Sequence, residues 1–302
     1  MKKKTFLRLG AFAVAVSLSA QGAAPATRDL TLLQAKAEHG DSEAEFQLGK
    51  DYASGAGGVT QDYGKALEFY RKSADQGNFK AMTNLAAMYS TGTGVNQNPK
   101  EAMKWYRKAA DKGAALAQVA LGSMIENGVG APKNENQAIN WYKKAAAQGN
   151  AHAQARLGLI YLNGLGGVTA DSREAFRWLL LAAGQGEASA ENGLGYLYEK
   201  GEAVTADREE AIKWYTLSAN QGFPTGEANR GRMCLDENGV PQDVVTGYMW
   251  FMLAADQNDV VGKHYMREFA RTISNDQLVE AKERAAQFKP QTGTSLATGA
   301  KP

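Results

Sequence analysis

One cysteine, three histidines and seven prolines in 302 residues exclude several common kinds of protein. A single thiol, Cys234, can build neither an intrachain disulfide framework nor a cysteine-rich metal knuckle. His39, His152 and His264 are scattered, and nothing in the sequence gathers them into a metal site. Charge of one sign is lacking too, with 34 Lys and Arg against 32 Asp and Glu. Four of those basic residues, Lys2, Lys3, Lys4 and Arg8, lie in a segment marked for removal, and 34 less four leaves 30 against 32, a balance of −2. Such a chain has no basic surplus with which to hold nucleic acid or an anionic membrane. The H-E-x-x-H, Walker, G-x-S-x-G and serial C-x-x-C motifs are all missing. No apolar run reaches the roughly 20 residues of a spanning helix. The apolar content of 44% is nevertheless that of a folded protein.

The first 26 residues read as an address. Lys2-Lys3-Lys4 is a short positive region, and Leu9 to Ala20 is an apolar run rich in small residues. Ala20-Gln21-Gly22 or Ala24-Pro25-Ala26 then supplies small residues at signal-peptidase spacing. Together these make a secretory signal over residues 1–26. No cysteine follows the run, so no lipoprotein anchor is expected. The expected location is periplasmic or secreted, with no membrane insertion after signal cleavage.

What the chain has in abundance is one pattern repeated six times. All five tryptophans fall in register, at Trp105, Trp141, Trp178, Trp214 and Trp250, with spacings of 36 or 37. Phe69 fills the column one repeat earlier. The next column reads Tyr70, Tyr106, Tyr142, Leu179, Tyr215 and Phe251. Small residues flank both columns, Ala66 to Gly247 before them and Ala74 to Ala255 after. Periodicity of this length marks stacked helical or strand units rather than one folded core.

Each repeat holds two helical patterns. In helix A a small residue is followed by Leu four residues on, Gly five on and an aromatic or apolar residue eight on, as in Ala153, Leu157, Gly158 and Tyr161. Offsets 0, 4 and 8 share one helix face. Gly49, Gly122, Gly158, Gly195 and Gly231 sit inside that helix, where glycine costs about 1 kcal/mol against alanine. A cost repeated in register predicts a close approach by a neighbouring element. Helix B starts after Asp62, Asn98, Asn134, Asp171, Asp207 or Asp243, all favoured N-cap residues. Asp171 with Glu174, and Asp207 with Glu210, have capping-box spacing. Gly77, Gly113, Gly149, Gly186 and Gly222 are placed to end helix B in the left-handed conformation, with Asn258 in their column in the sixth repeat.

These columns resemble the Sel-one-like repeat (SLR) family, a relative of the tetratricopeptide repeat. Its pattern runs roughly A-x-x-x-L-G-x-x-Y-x-x-G-x-G-V and then D-x-x-x-A-x-x-W-Y-x-x-A-A-x-x-G. The best matches here are Ala117 to Gly149, Ala153 to Gly186 and Ala190 to Gly222, and the last repeat, with Gly226, Arg230 and Cys234, is degenerate. The resemblance implies an all-α fold, an α-solenoid of stacked antiparallel helix pairs wound as an SLR/TPR-like superhelix with a concave face. The expected organisation is a signal peptide at 1–26, an N-terminal capping helix at 27–41 and six repeats over 42–258. The repeats fall at about 42–77, 78–113, 114–149, 150–186, 187–222 and 223–258. Two C-terminal capping helices at 259–288 and a disordered tail at 289–302 complete it.

No chemistry is expected of these columns. The repeated acids are explained by capping and lie a helix pair apart, too far for paired acid–base work. Cys234 occupies a helix A column held elsewhere by Tyr52, Tyr89, Ile125, Tyr161 and Tyr198, and reads as a buried small hydrophobe rather than a redox thiol. Part of the SLR family carries cysteine pairs and is linked to β-lactams; this chain has no such pair and no Ser-x-x-Lys. No catalytic residue, cofactor or metal ligand is expected, and an enzyme acting on cell wall or β-lactam is the opposing class. The family implies a non-catalytic scaffold or regulator whose partner is another protein, and more narrowly an immunity protein against a type VI lipase toxin.

Positions that vary between repeats are the remaining clue to a binding site. On helix A, offsets 3, 6 and 10 read Gln47/Lys50/Ser54, Asn84/Ala87/Thr91 and Ala120/Ser123/Asn127 in the first three repeats. In the last three they read Arg156/Leu159/Asn163, Gly193/Tyr196/Lys200 and Asn229/Arg232/Asp236. Arg and Tyr combine area with directed hydrogen bonds, which favours them in interfaces. The candidate protein-binding residues are therefore Arg156, Leu159, Tyr196 and Arg232, with Asn192 and Asn229 nearby. Helix B changes as well, from Arg71-Lys72, Arg107-Lys108 and Lys143-Lys144 to Leu180-Leu181, Thr216-Leu217 and Met252-Leu253. The apolar half of that face needs cover from neighbouring helices, the C-terminal cap or another protein.

Overall fold

The structure is a computed structural model that describes residues 29–235, 243–271 and 273–291. The expected signal segment, residue Asp236 and the tail from Thr292 lie outside the described residues. Among those residues there are fifteen α-helices and no strand. Helix α1 (Leu30–Glu38) precedes six pairs. These are α2 (Ser42–Ser54) with α3 (Tyr63–Asp75), α4 (Phe79–Thr91) with α5 (Pro99–Asp111), and α6 (Ala115–Asn127) with α7 (Glu135–Ala147). Then come α8 (Ala151–Asn163) with α9 (Ser172–Ala183), α10 (Ala188–Lys200) with α11 (Arg208–Asn220), and α12 (Pro224–Leu235) with α13 (Val244–Asp256). Helices α14 (Val260–Phe269) and α15 (Asn275–Gln287) close the chain. The chain divides into two compact units, Met1–Gln148 and Gly149–Pro302, so the division falls between the third and fourth repeats. Within each unit every helix up to α13 packs on the next in sequence, which is the stacking of an α-solenoid, and α15 returns to pack on α13.

The helix ends follow from local chemistry. Asp62, Asn98, Asn134, Asp171, Asp207 and Asp243 each accept a hydrogen bond from a backbone N–H in the first turn of helix B. Glu174 and Glu210 do not complete capping boxes; their carboxylates pair instead with Arg177 at 2.8 Å and Lys213 at 2.5 Å, one turn further on. The reciprocal box forms at Ser274 and Gln277, at the start of α15. Helix B ends as expected, with Gly77, Gly113, Gly149, Gly186 and Gly222 at positive φ. Asn258 adopts φ 65° in the same column, and the Asp259 N–H reaches back to the Ala254 carbonyl at 3.0 Å.

The interior glycines of helix A are explained by one contact. A Cβ on Gly49 would lie 2.6 Å from the Tyr70 ring, on Gly122 2.9 Å from Tyr142, and on Gly158 2.6 Å from Leu179. On Gly195 and Gly231 it would lie 2.7 Å from Tyr215 and Phe251. In each case the intruding side chain belongs to helix B of the same repeat and is at most 1% exposed. The innermost column is therefore the residue after the tryptophan. Trp105, Trp141 and Trp250 are also buried, whereas Trp178 and Trp214 are only half-buried, against the expectation of a uniform tryptophan core.

A polar clamp accompanies the apolar one. The residue after the helix A small position is buried and polar at Glu45, Gln118, Gln154, Glu191 and Glu227. Each accepts a hydrogen bond from the glutamine that precedes the helix B terminal glycine column: Gln76 (2.7 Å), Gln148 (2.8 Å), Gln185 (2.8 Å), Gln221 (2.7 Å) and Gln257 (3.1 Å). At the C-terminal end α15 lies against α13, with Leu278, Ala281, Ala285 and Phe288 packed in the cluster around Trp250. Phe288 meets Trp250 edge-on, with ring centroids 5.1 Å apart.

Gly195→Ala should destabilise the protein by about 1–3 kcal/mol, because overpacking against Tyr215 outweighs the roughly 1 kcal/mol gained in helix propensity. Gly184→Ala is the control, since its backbone is helical and its Cβ would come no closer than 3.4 Å to any neighbour. Thermal melts of both variants check this, and a Gly195→Ala protein as stable as the parent would mean that the ring contact does not constrain the pair.

Candidate interaction site

The candidate residues all lie in the second compact unit, on helices α8, α10 and α12. These three, followed by α14, form a row because successive A helices touch along the stack. The offset pattern places all the candidates but Asn192 on one side of each helix, and the packing sorts them into different environments.

Two of the six have no surface to offer. Leu159 is 6% exposed and belongs to the core cluster with Ala155, Leu179 and Leu194. Asn192 is 1% exposed, and its Oδ1 accepts a hydrogen bond from Asn229 Nδ2 at 2.8 Å. The expectation that both contribute to an exposed face is corrected. Offset 6 turns inward at repeat four because helix α9 brings Leu179 rather than a tyrosine against α8, and apolar contact there completes the core. Asn229, half-buried, ties α12 to α10 through the same bond.

Arg232 is also more structural than expected. Its Nη2 pairs with Glu199 Oε2 at 2.5 Å, and the Tyr215 hydroxyl donates to the same oxygen at 2.9 Å. Lys200 Nζ holds the other carboxylate oxygen at 2.7 Å. Burial alone would raise the Glu199 carboxyl, but Lys200, Arg232 and Tyr215 more than offset it and hold it below the usual carboxylate range. The network joins α10, α11 and α12. Tyr196 is half-buried, with the Lys200 ammonium 5.9 Å from its ring, and burial pushes its hydroxyl above the ordinary tyrosine value. Arg156 on α8 is half-buried. The row therefore presents Tyr196, Arg156 and the outer parts of Asn229 and Arg232.

Other features carry less. Cys234 is 4% exposed with Arg230 Nη1 2.7 Å from its sulfur, and burial pushes the thiol up despite that guanidinium. His39 bonds the Ala35 carbonyl, His264 pairs with Glu268 at 3.2 Å, and His152, in the first turn of α8, lies 3.7 Å from Glu187. Among the described residues no group of three or more His, Cys, Asp or Glu could hold a metal ion, and no helix is long and apolar enough to cross a membrane. An open groove runs past Asp171, Ser172, Arg173, Val204 and Thr205.

On helix B of the first unit, cations lie over the aromatic column. Lys108 Nζ is 4.0 Å from the Trp105 ring centroid and Lys144 Nζ 4.2 Å from that of Trp141. Leu181, the counterpart of those lysines in repeat four, is 54% exposed, whereas Leu253 in repeat six packs in the cluster that α15 completes. The C-terminal cap thus covers part of the apolar B face.

Sequence reasoning missed Glu199 and the buried Glu/Gln column. The latter was readable as Gln76, Gln148, Gln185, Gln221 and Gln257 at fixed spacing, each facing a polar residue at the start of helix A. A double-mutant cycle on Glu199→Ala and Arg232→Ala should give a coupling of about 1–2 kcal/mol, above the 0.2–1 kcal/mol of exposed pairs. Denaturant unfolding of the four proteins measures it, and additive effects would make Arg232 a purely surface residue.

The Sel1 repeat family model matches six times, over residues 42–78, 79–113, 115–150, 151–187, 188–223 and 224–259. No curated protein matches the chain. Among solved structures, a Sel1 repeat protein from Oxalobacter formigenes is 32% identical with a TM-score of 0.67, covering 74% of this chain and 90% of that one. A protective antigen present in uropathogenic Escherichia coli strains, with an SLR fold, is 25% identical with a TM-score of 0.40, covering 90% and 76%. An immunity protein from Pseudomonas aeruginosa is 24% identical with a TM-score of 0.43, covering 73% and 83%. Six consecutive matches over most of the chain, on the helix pairs and columns described above, establish that this chain belongs to the Sel1 repeat family.

Proposed function

We propose that the protein is an exported, non-catalytic adaptor that binds another protein through the helix A row of repeats four to six. Sel1 repeats suggest a protein-interaction scaffold, and that coarse role is the starting point. The observation that carries the finer reading is Tyr196. It is a large amphipathic side chain, half-buried on a rigid helix, at a position held by Lys50, Ala87 and Ser123 in the first three repeats. The frame residues around it keep their columns, so the frame alone does not account for a tyrosine there. Tyrosine anchors an interface at low entropic cost, and the Glu199–Arg232 pair beside it fixes the surrounding surface.

Export rests on Lys2 to Ala26, which have the composition of a secretory signal. The mature chain should begin between Ala20 and Arg28 and be released from cells by osmotic shock. Intact-mass measurement of the released protein checks this, and a cytosolic chain retaining Met1 contradicts it.

For binding, the partner is first captured on the mature protein by affinity purification from envelope extracts and then titrated calorimetrically. Tyr196→Ala should weaken it by about 1–3 kcal/mol with little change in melting temperature, as for interface hot spots. Lys72→Ala and Lys108→Ala, on helix B of the first unit, should change affinity by much less. Unchanged affinity for Tyr196→Ala together with loss at the lysines would move the interface to the B face. A secreted toxin as the captured partner would narrow the role to immunity, and turnover of a cell-wall or β-lactam substrate would end the non-catalytic reading.

A further inference from the structure

Five repeats close their helix pair with a buried polar side chain on helix A and a glutamine at the end of helix B, but the helix A residue differs in kind. Repeats three and four use Gln118 and Gln154, which are neutral at any pH and satisfied by amide–amide hydrogen bonds. Repeat one uses Glu45, where burial also raises the carboxyl but the nearby Lys72 opposes it, and repeats five and six use Glu191 and Glu227, each 1% exposed with no such cation. The Gln221 amide donates to Glu191 at 2.7 Å and the Gln257 amide to Glu227 at 3.1 Å.

The charged groups around these two carboxyls are acidic. Glu191 faces Glu187 on the preceding turn, whose own neighbour is His152 of α8 at 3.7 Å. From α11 it receives only the Gln221 amide, while Ser218 Oγ of that helix donates to the Ala188 carbonyl. Glu227 faces Asp256 at the end of α13 and Asp259 at the cap of α14. The ammonium of Lys263 on α14 is directed to Asn258 at 2.8 Å, and Arg230 on α12 to Thr216 and Cys234. A buried carboxylate with one amide donor and acidic neighbours is a poor anion site. Both glutamates lie in the first turn of their helices, where the dipole favours negative charge, but burial outweighs that help.

We propose that Glu191 and Glu227 make the helix pairs of repeats five and six proton-sensitive, tightening when the carboxyls are protonated and loosening when they ionise, while repeats three and four do not respond. Helices α10 and α12 are the same elements that carry Tyr196, Asn229 and Arg232, so acid would stiffen the candidate binding row and alkali would soften it. Burial is the main cause that pushes both carboxyls up, to about 7, from the ordinary 4.5. The folded state then binds these protons more tightly than the unfolded state. Their stabilising contribution is full below about pH 4.5, falls as pH rises towards 7, and is lost above it.

The test is the pH dependence of stability in the mature, full chain. Glu191→Gln, Glu227→Gln and the double variant keep the size and hydrogen bond of the side chain and copy the residue of repeats three and four. Between pH 5 and pH 8 the parent should lose several degrees of melting temperature that the double variant retains, so that the double variant melts higher at pH 8. Amide exchange followed by mass spectrometry, corrected for intrinsic rates, should locate the effect. Peptides from α10 to α13 should gain about tenfold or more protection in the parent at pH 5 relative to pH 8, as for a group shifted by at least one pKa unit, and those from α4 to α7 should not. The converse substitution, Gln118→Glu, should add a pH slope to repeat three. Equal slopes in the parent and the double variant, or a protection change spread evenly over all repeats, would overturn the proposal, and so would a Gln118→Glu protein with no added slope.

Discussion

In a pair of antiparallel helices only one or two side chains can occupy the line of closest approach, and here that place is taken by a ring or leucine from helix B lying flat on a glycine of helix A. Tyr70 on Gly49, Tyr142 on Gly122, Leu179 on Gly158, Tyr215 on Gly195 and Phe251 on Gly231 are five versions of one contact. The glycine removes a Cβ that would otherwise stand inside the ring, at distances of 2.6–2.9 Å. Helix propensity is lost by about 1 kcal/mol at each site, and the burial of a large side chain, worth about 1.5–3 kcal/mol, more than offsets it. Because the contact is made within a repeat, five of the six helix pairs have their own internal lock, and stacking then adds pair to pair. It also explains how a tyrosine hydroxyl can emerge on the helix A side. Tyr142 and Tyr215 pass over their glycines and donate to Glu126 and Glu199, four residues further along helix A.

The polar clamps are the second fastening, and they differ from the first in tolerance. The glycine contact accepts Tyr, Phe or Leu, since shape decides it and the hydroxyls of Tyr142 and Tyr215 find their acceptors beyond it, on Glu126 and Glu199. A buried amide or carboxyl accepts only a partner that can satisfy it, and an unsatisfied group there costs about 1–3 kcal/mol. Repeat two illustrates the limit: Met82 stands in the polar column and Lys112 in the glutamine column, so both members change together and no polar atom is left stranded between them. Where Glu replaces Gln opposite an unchanged glutamine, the hydrogen bond survives but the charge becomes a liability. The clamp column thus carries chemical information that the apolar column cannot.

Almost the whole frame was legible in the sequence because each of its constraints recurs in register. Helix B caps at Asp62 through Asp243, the left-handed glycines, and even Asn258 as a glycine substitute follow from single-residue conformational rules applied at a fixed period. The capping boxes at Asp171 and Asp207 failed for a local reason: a cation one turn on, Arg177 or Lys213, outcompetes the backbone N–H for the glutamate. The site was less legible because it is defined by departures from the pattern. Leu159 shares its helix position with variable residues, yet a neighbour's side chain decides whether such a position faces solvent or core. Helical periodicity gives the angle of a residue about its own helix and says nothing of how far the next helix reaches.

That distinction bears on how a repeat scaffold acquires specificity. A residue free to vary must touch little of the frame, but a residue that binds well must be held still. Arg232 shows the compromise, since its guanidinium is fixed by Glu199 while a quarter of its side chain remains exposed. The Glu199 carboxylate is itself oriented by the Tyr215 hydroxyl, and Tyr215 is the ring that locks Gly195. A chain of contacts therefore runs from the closest helix approach in repeat five to the surface of repeat six, using side chains alone. Tyr196, the next residue along α10 after Gly195, rides on the same lock. Variation at the surface can thus be anchored to the invariant part of the fold without disturbing it, and a stack of near-identical helix pairs can carry a distinct face at each level.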